Sequence, residues 1–65
     1  MFIYNKLWKK LIDRNMSKLQ LRQELGLSSK VITRMGKNEY VSLATLDLIC
    51  NYFNCDIGDI IEHKK

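Results

Sequence analysis

Proline is absent from this chain, glycine occurs only three times, cysteine twice and histidine once. Without proline and with so little glycine, a turn-rich β-sandwich and a disordered low-complexity segment are both excluded. Cys50 and Cys55 are too few and too close together to frame a disulfide-built secreted domain. Cys50 falls on the apolar stripe of an expected helix and Cys55 just past its end, so both read as small buried hydrophobes. A zinc site needs about four Cys/His ligands, and His63 lies in a polar tail, so neither a metal nor any other cofactor is expected. No apolar run approaches the roughly 18 residues that span a bilayer. The start, MFIYNKLWKKLI, lacks the basic, apolar and cleavage regions of a signal peptide. The expectation is a single cytoplasmic domain over residues 1–65, with no membrane partner.

What is present is mostly helix-forming and basic. The net charge is +4 and the pI about 9.3, and the distribution is lopsided. Residues 1–40 hold nine Lys/Arg against three acids, a balance of +6, and residues 41–65 hold two against four, a balance of −2. A positive half of this kind is the electrostatic footprint of a phosphate-binding face.

Four helix starts share one device, an apolar residue, a cap, then an apolar residue four positions beyond the cap. They are Met16-Ser17 with Leu21, Leu27-Ser28 with Ile32, Val41-Ser42 with Leu46, and Cys55-Asp56 with Ile60. The cap oxygen satisfies orphan backbone N–H groups and the apolar pair staples the entry angle. Gln20 completes a capping box with Ser17. Upstream, Leu7, Trp8, Leu11 and Ile12 make one stripe, which predicts a first helix over Lys6–Arg14 with Trp8 as a core anchor. The further helices are expected at Lys18–Leu25, ending at Gly26; at Ser29–Met35, ending at Gly36; at Leu43–Phe53; and over Ile57 to Ile60 or Ile61. Gly26 and Gly36 are both read as left-handed helix stops. The β-prone runs Phe2-Ile3-Tyr4 and Ile60-Ile61-Glu62-His63 can pair as a short antiparallel ribbon. The fold class expected is all-α, a five-helix domain with that terminal ribbon.

Two short helices on either side of a glycine, the second basic on its outer face, form the unit that sets a helix into the DNA major groove. On the expected third helix, Ile32 and Met35 take the inner face with Val31, and Ser29, Lys30, Thr33 and Arg34 point outward. These residue types can read base edges. Candidate phosphate contacts surround them: Lys18 at a helix N-terminus, where anions are favoured, with Arg22, Ser28, Lys37, Asn38 and Tyr40. Leu48 and Tyr52 fall off the main stripe of the fourth helix and suggest a dimer surface. No paired acid and base, no glycine-rich phosphate loop and no activated nucleophile stands out, so neither enzymatic activity nor a small-molecule substrate is expected.

These residues resemble the Cro and phage-repressor type helix-turn-helix proteins, the Xre family. The similarity runs through Ser17-Lys18-x-x-Leu21, Leu25-Gly26-Leu27-Ser28, Ile32-x-x-Met35, Val41-Ser42-x-x-x-Leu46-x-x-Ile49-Cys50-x-x-Phe53 and Asp56-x-x-Asp59-Ile60-Ile61. It implies a five-helix domain in which Ser29, Lys30, Thr33 and Arg34 match base-facing positions and Lys18 matches a phosphate-contacting glutamine. Arg22 stands where the family usually has a small alanine, and Ser29 is shorter than the glutamine often found in its place. The resulting expectation is a sequence-specific double-stranded DNA-binding regulator, a repressor acting as a homodimer on a pseudo-palindromic operator. The alternative is a protein-interaction module on the same fold, of the antitoxin or regulator-inhibitor type.

Overall fold

The computed structural model covers residues 1–65. In chain order the elements are β1 (Phe2–Ile3), α1 (Asn5–Asp13), α2 (Lys18–Leu25), α3 (Ser29–Gly36), α4 (Leu43–Phe53), a 3-10 turn (Ile57–Asp59) and β2 (Glu62–His63). Three serines start three of the helices. Ser17, Ser28 and Ser42 accept from the N–H groups of Gln20, Val31 and Thr45 at 3.1, 3.2 and 3.1 Å. Gln20 reaches back to the Ser17 N–H at 2.7 Å, which closes the expected capping box. Each such cap contributes about 1 kcal/mol.

The C-terminal ends follow one rule that the glycine positions only half reveal. At every helix end a residue in the left-handed region turns the chain, and the residue after it donates back to the carbonyl five positions earlier. The left-handed residues are Asn15, Gly26, Asn38 and Asn54, with φ of 54, 65, 57 and 53°. The closing bonds are Met16 N–H to Leu11 C=O at 2.8 Å, Leu27 to Arg22 at 2.9 Å, Glu39 to Arg34 at 2.9 Å and Cys55 to Cys50 at 3.1 Å. These are Schellman motifs. Asparagine supplies three of the four because its short polar side chain tolerates this conformation. Gly36 is therefore not a left-handed stop, as its position after Met35 had implied. It is the last residue of α3, and Asn38 makes the turn.

The expected fifth helix is a single 3-10 turn, so the fold has four α-helices. Asp56 accepts from the Ile57 N–H at 2.6 Å, and Asp59 accepts from the Asp56 N–H at 3.1 Å. Within three residues the chain must bring Ile60 into the core and then reach β2, which leaves no room for a second turn. β2 pairs antiparallel with β1, Phe2 opposite His63 and Ile3 opposite Glu62. The ribbon is thus present, in a register that leaves Ile60 and Ile61 outside the strand.

The core is one cluster of nine side chains: Tyr4, Leu7, Leu11, Leu21, Met35, Leu46, Ile49, Phe53 and Ile60. No buried side-chain polar atom is left without a partner. α1 spans Asn5–Asp13 rather than Lys6–Arg14, and it buries only Leu7 and Leu11. Ile12 is 72% exposed, not on the inner stripe. The step from Leu11 to Ile12 rotates about 100° around the helix and carries Ile12 off the face that Leu7 and Leu11 share. Trp8 packs on the edge of the core and is half-buried. Cys50 and Cys55 are likewise half-buried rather than buried. No helix is long and apolar enough to cross a membrane.

Tyr4 ties the ribbon to the end of α3. Its N–H donates to the Asn38 Oδ1 at 3.3 Å, and its hydroxyl donates to the Glu39 carbonyl at 2.7 Å. Burial pushes the Tyr4 phenol above its ordinary value of 10.0. Because only the neutral form fits, its stabilisation is complete below the unfolded pKa of about 10 and is lost as pH rises through the higher folded value. Chemical denaturation from pH 8 to 11 should show stability falling above about pH 10. In Tyr4→Phe that fall should be shallower, from a starting stability lower by about 1 kcal/mol.

The two glycines that flank α3 make opposite predictions. Gly36 has ordinary helical backbone, and an added Cβ would meet only the Lys18 Nζ at 3.8 Å. Gly36→Ala should therefore stabilise by about 0.5–1 kcal/mol. Gly26→Ala should cost about 1–2 kcal/mol, because its φ is left-handed. Denaturant midpoints of the two variants check both signs.

Candidate nucleic-acid interface

The geometry of α3 is set by three local devices before any ligand is considered. Gly26 turns the chain out of α2, Ser28 caps the first turn of α3, and Met35 anchors the inner face with 0% exposure. Val31 and Ile32 pack half-buried on the core beside it. The side chains on the remaining face, Ser29, Lys30, Thr33 and Arg34, are all exposed. The structure thus brings together the whole base-reading set expected from the sequence. Thr33 is partly committed, since its hydroxyl donates to the Ser29 carbonyl at 2.9 Å. That leaves a methyl group and an oxygen lone pair for an incoming base. Ser28 spends an oxygen lone pair on its cap, and its hydroxyl proton remains available to a phosphate oxygen.

Lys18 occupies a more specific place than its position alone indicated. Its Nζ lies 4.2 Å from the centroid of the Trp8 ring, a cation–π contact. Gly36 lies on its other side, where a Cβ would come within 3.8 Å. Lys18 therefore stands at the junction of α1, α2 and α3, held by an aromatic face rather than a carboxylate. An ammonium held in this way keeps its charge and N–H donors for an anion. Arg22, one turn further along α2, is half-buried. Lys37 is exposed just beyond α3.

Two expected phosphate contacts are placed differently from the rest. The Asn38 side chain accepts the Tyr4 N–H, and its backbone forms the left-handed turn, so it serves the fold. Tyr40 is 70% exposed but stands against Phe2 of the ribbon, with ring centroids 6.3 Å apart. Among the other cations of the basic half, Lys6 donates to the Gly58 carbonyl at 3.0 Å and Arg14 lies 4.7 Å from the centroid of the Phe53 ring. On α2, α3 and the turn after α3 the cations are Lys18, Lys30, Arg34 and Lys37, all exposed, and Arg22, half-buried.

Away from this face several apolar side chains are exposed. Leu48 is 46% and Tyr52 36% exposed, and the Tyr52 hydroxyl contacts the Met16 sulfur at 3.8 Å. An apolar groove, about 370 Å³, lies between the ribbon and the start of α4. Phe2, Tyr40, Leu43 and Ile57 line it, and Leu43 is 75% exposed. No local pattern reveals this groove, because its walls come from three stretches far apart in the chain, residues 2–4, 40–46 and 57–61.

Comparison with known proteins places this geometry. A family model described as the Cro/C1-type HTH DNA-binding domain matches residues 6–65. An uncharacterized HTH-type transcriptional regulator, YozG of Bacillus subtilis (strain 168), is 34% identical over 57 residues, covering 85% of this chain and 68% of its own length. The crystal structure of the transcriptional regulator VanUg (form II) superposes with a TM-score of 0.90 at 57% identity, covering 94% of this chain and 81% of that one.

Trp8 is the one tryptophan of the chain, so its emission reports the Lys18 contact. Short duplex DNA should shift that emission in the native protein by drawing Lys18 toward a phosphate, and leave it unchanged in Lys18→Met. Saturable binding without any change in Trp8 emission would remove Lys18 from the interface.

Proposed function

We propose a function from one premise: the chain belongs to the Cro/C1-type HTH DNA-binding domain family. Within it, this protein is a sequence-specific repressor that acts as a homodimer in the cytoplasm, by binding alone and without catalysis. The observation that carries the reading is the outer face of α3. Ser29, Lys30, Thr33 and Arg34 are exposed on a helix whose opposite face is locked by the fully buried Met35. Such a helix enters the major groove as a rigid body. Arg34 and Lys30 then pair with guanine O6 and N7, and Ser29 and Thr33 make shorter contacts, including the Thr33 methyl on thymine. Lys18, Arg22, Ser28 and Lys37 grip phosphates, which sets register and adds affinity on any sequence.

A dimer follows from the small number of contacts one domain can make. The longest dimension of the domain is 31 Å, so two copies abreast can present their α3 helices to half-sites one helical turn apart, about 34 Å. The apolar groove beside Leu43 supplies surface for that pairing, with Leu48 and Tyr52 as the second exposed apolar pair. Repression then needs only occupancy of the operator, which blocks other proteins from the same DNA.

Selection from randomised duplex DNA at near-physiological salt tests this reading. An inverted repeat should be enriched, with half-site centres about one helical turn apart. Arg34→Ala should relax preference at one position by about 1–3 kcal/mol. Equal loss on all sequences would remove Arg34 from base reading. A lone half-site would contradict the homodimer, and no enrichment by the folded protein would contradict sequence-specific binding.

A further inference from the structure

We propose that Cys50 and Cys55 form a dithiol site that closes to an intramolecular disulfide by exchange with a small-molecule disulfide such as oxidised glutathione. The end of α4 brings the two residues together. Asn54 is left-handed at φ 53°, and the Cys55 N–H donates to the Cys50 carbonyl at 3.1 Å. Standard bond lengths on either side of a bond of that length hold the two Cα atoms within about 7 Å, at the outer limit a disulfide spans. In a Schellman motif these two positions also bring their side chains toward each other. At the other helix ends the same two positions hold Leu11 and Met16, Arg22 and Leu27, and Arg34 and Glu39; only at α4 are both cysteine.

Access and chemistry agree with the geometry. Both thiols are free and half-buried, and both line one open cavity of about 620 Å³ between α4 and the 3-10 turn. A small disulfide can therefore reach them. Burial, then the neighbouring Cys55, then Asp56 and Asp47 push the Cys50 thiol up. A thiol that ionises reluctantly is the poorer first attacker, so Cys55 opens the exchange and Cys50 resolves it. The Cys55 thiolate attacks one sulfur of the reagent RS–SR, forms a mixed disulfide and expels RS⁻. Cys50 then gives up its proton to water and attacks the Cys55 sulfur, expelling the second RS⁻. Two electrons pass from the protein to the reagent, and the two thiol protons end on two RSH.

The test uses the full chain in a buffer of reduced and oxidised glutathione, quenched with acid and analysed by mass. Both cysteines fall in the tryptic peptide 38–64. That peptide should lose about 2 Da, the two thiol hydrogens. At equilibrium the ratio of closed to open peptide should be about tenfold higher in the folded protein than in concentrated urea, because the fold raises the effective concentration of one thiol at the other. Cys50→Ser should instead retain one glutathione on Cys55. Glutathione adducts without closure in the native protein would overturn the proposal, and so would a closed ratio no higher in the fold than in urea.

Discussion

The hydrogen bond from the Leu27 N–H to the Arg22 carbonyl, closed across the left-handed Gly26, sets how α3 leaves α2 and so where its outer face stands. It ends α2 and aims the chain so that Ser28 caps α3 two residues later. Two short helices joined by so tight a turn have little freedom to rotate against each other. Leu21 from α2 and Met35 from α3, each with no exposed surface, complete the lock from inside. The outer residues of α3 are then held in one orientation by backbone geometry and packing, before any DNA arrives. Little of the binding energy need be spent on ordering that face.

The same end-motif, repeated at all four helices, explains how so short a chain holds a fold. A domain of this length buries too little surface to leave polar groups unsatisfied. Here the N-terminal ends of α2, α3, α4 and the 3-10 turn are closed by serine and aspartate side chains, and the C-terminal ends of the four helices by their own backbone. Tyr4 adds a long-range tie, joining the ribbon to the turn after α3 through Asn38 and Glu39. That tie connects the terminal ribbon with the end of α3. It also ties Asn38 into the fold through its Oδ1 and its left-handed backbone.

What the sequence disclosed and what it concealed divide along physical lines. Ser17, Ser28, Ser42 and Asp56 act within three residues of themselves, so their roles were legible from spacing alone. The outer set on α3 was legible for the same reason, since Ile32 and Met35 define the inner face and the rest must point away. The C-terminal turns were less legible. Asn15, Asn38 and Asn54 do what Gly26 does, and asparagine is common in ordinary polar loops, so only the backbone reveals the shared motif. Ile12 misled because an apolar residue next to the stripe still lies about 100° from its neighbour. The seat of Lys18 over Trp8 is set by the crossing of α1 and α2, which no local pattern encodes. The groove beside Leu43 escaped for a related reason, because its walls come from segments far apart in the chain.

The proposed function requires that a pre-set outer face of α3 meet DNA while α4 and the ribbon remain outside the contact. Amide chemical-shift mapping on addition of a short duplex tests it most directly, because every backbone N–H reports separately. The largest changes should fall on Ser17 to Gln20 and on Ser28 to Arg34, with those of Leu48 to Phe53 staying small. Changes concentrated on Leu43, Ile57 and the ribbon, with α3 silent, would contradict it and identify the apolar groove as the face that binds.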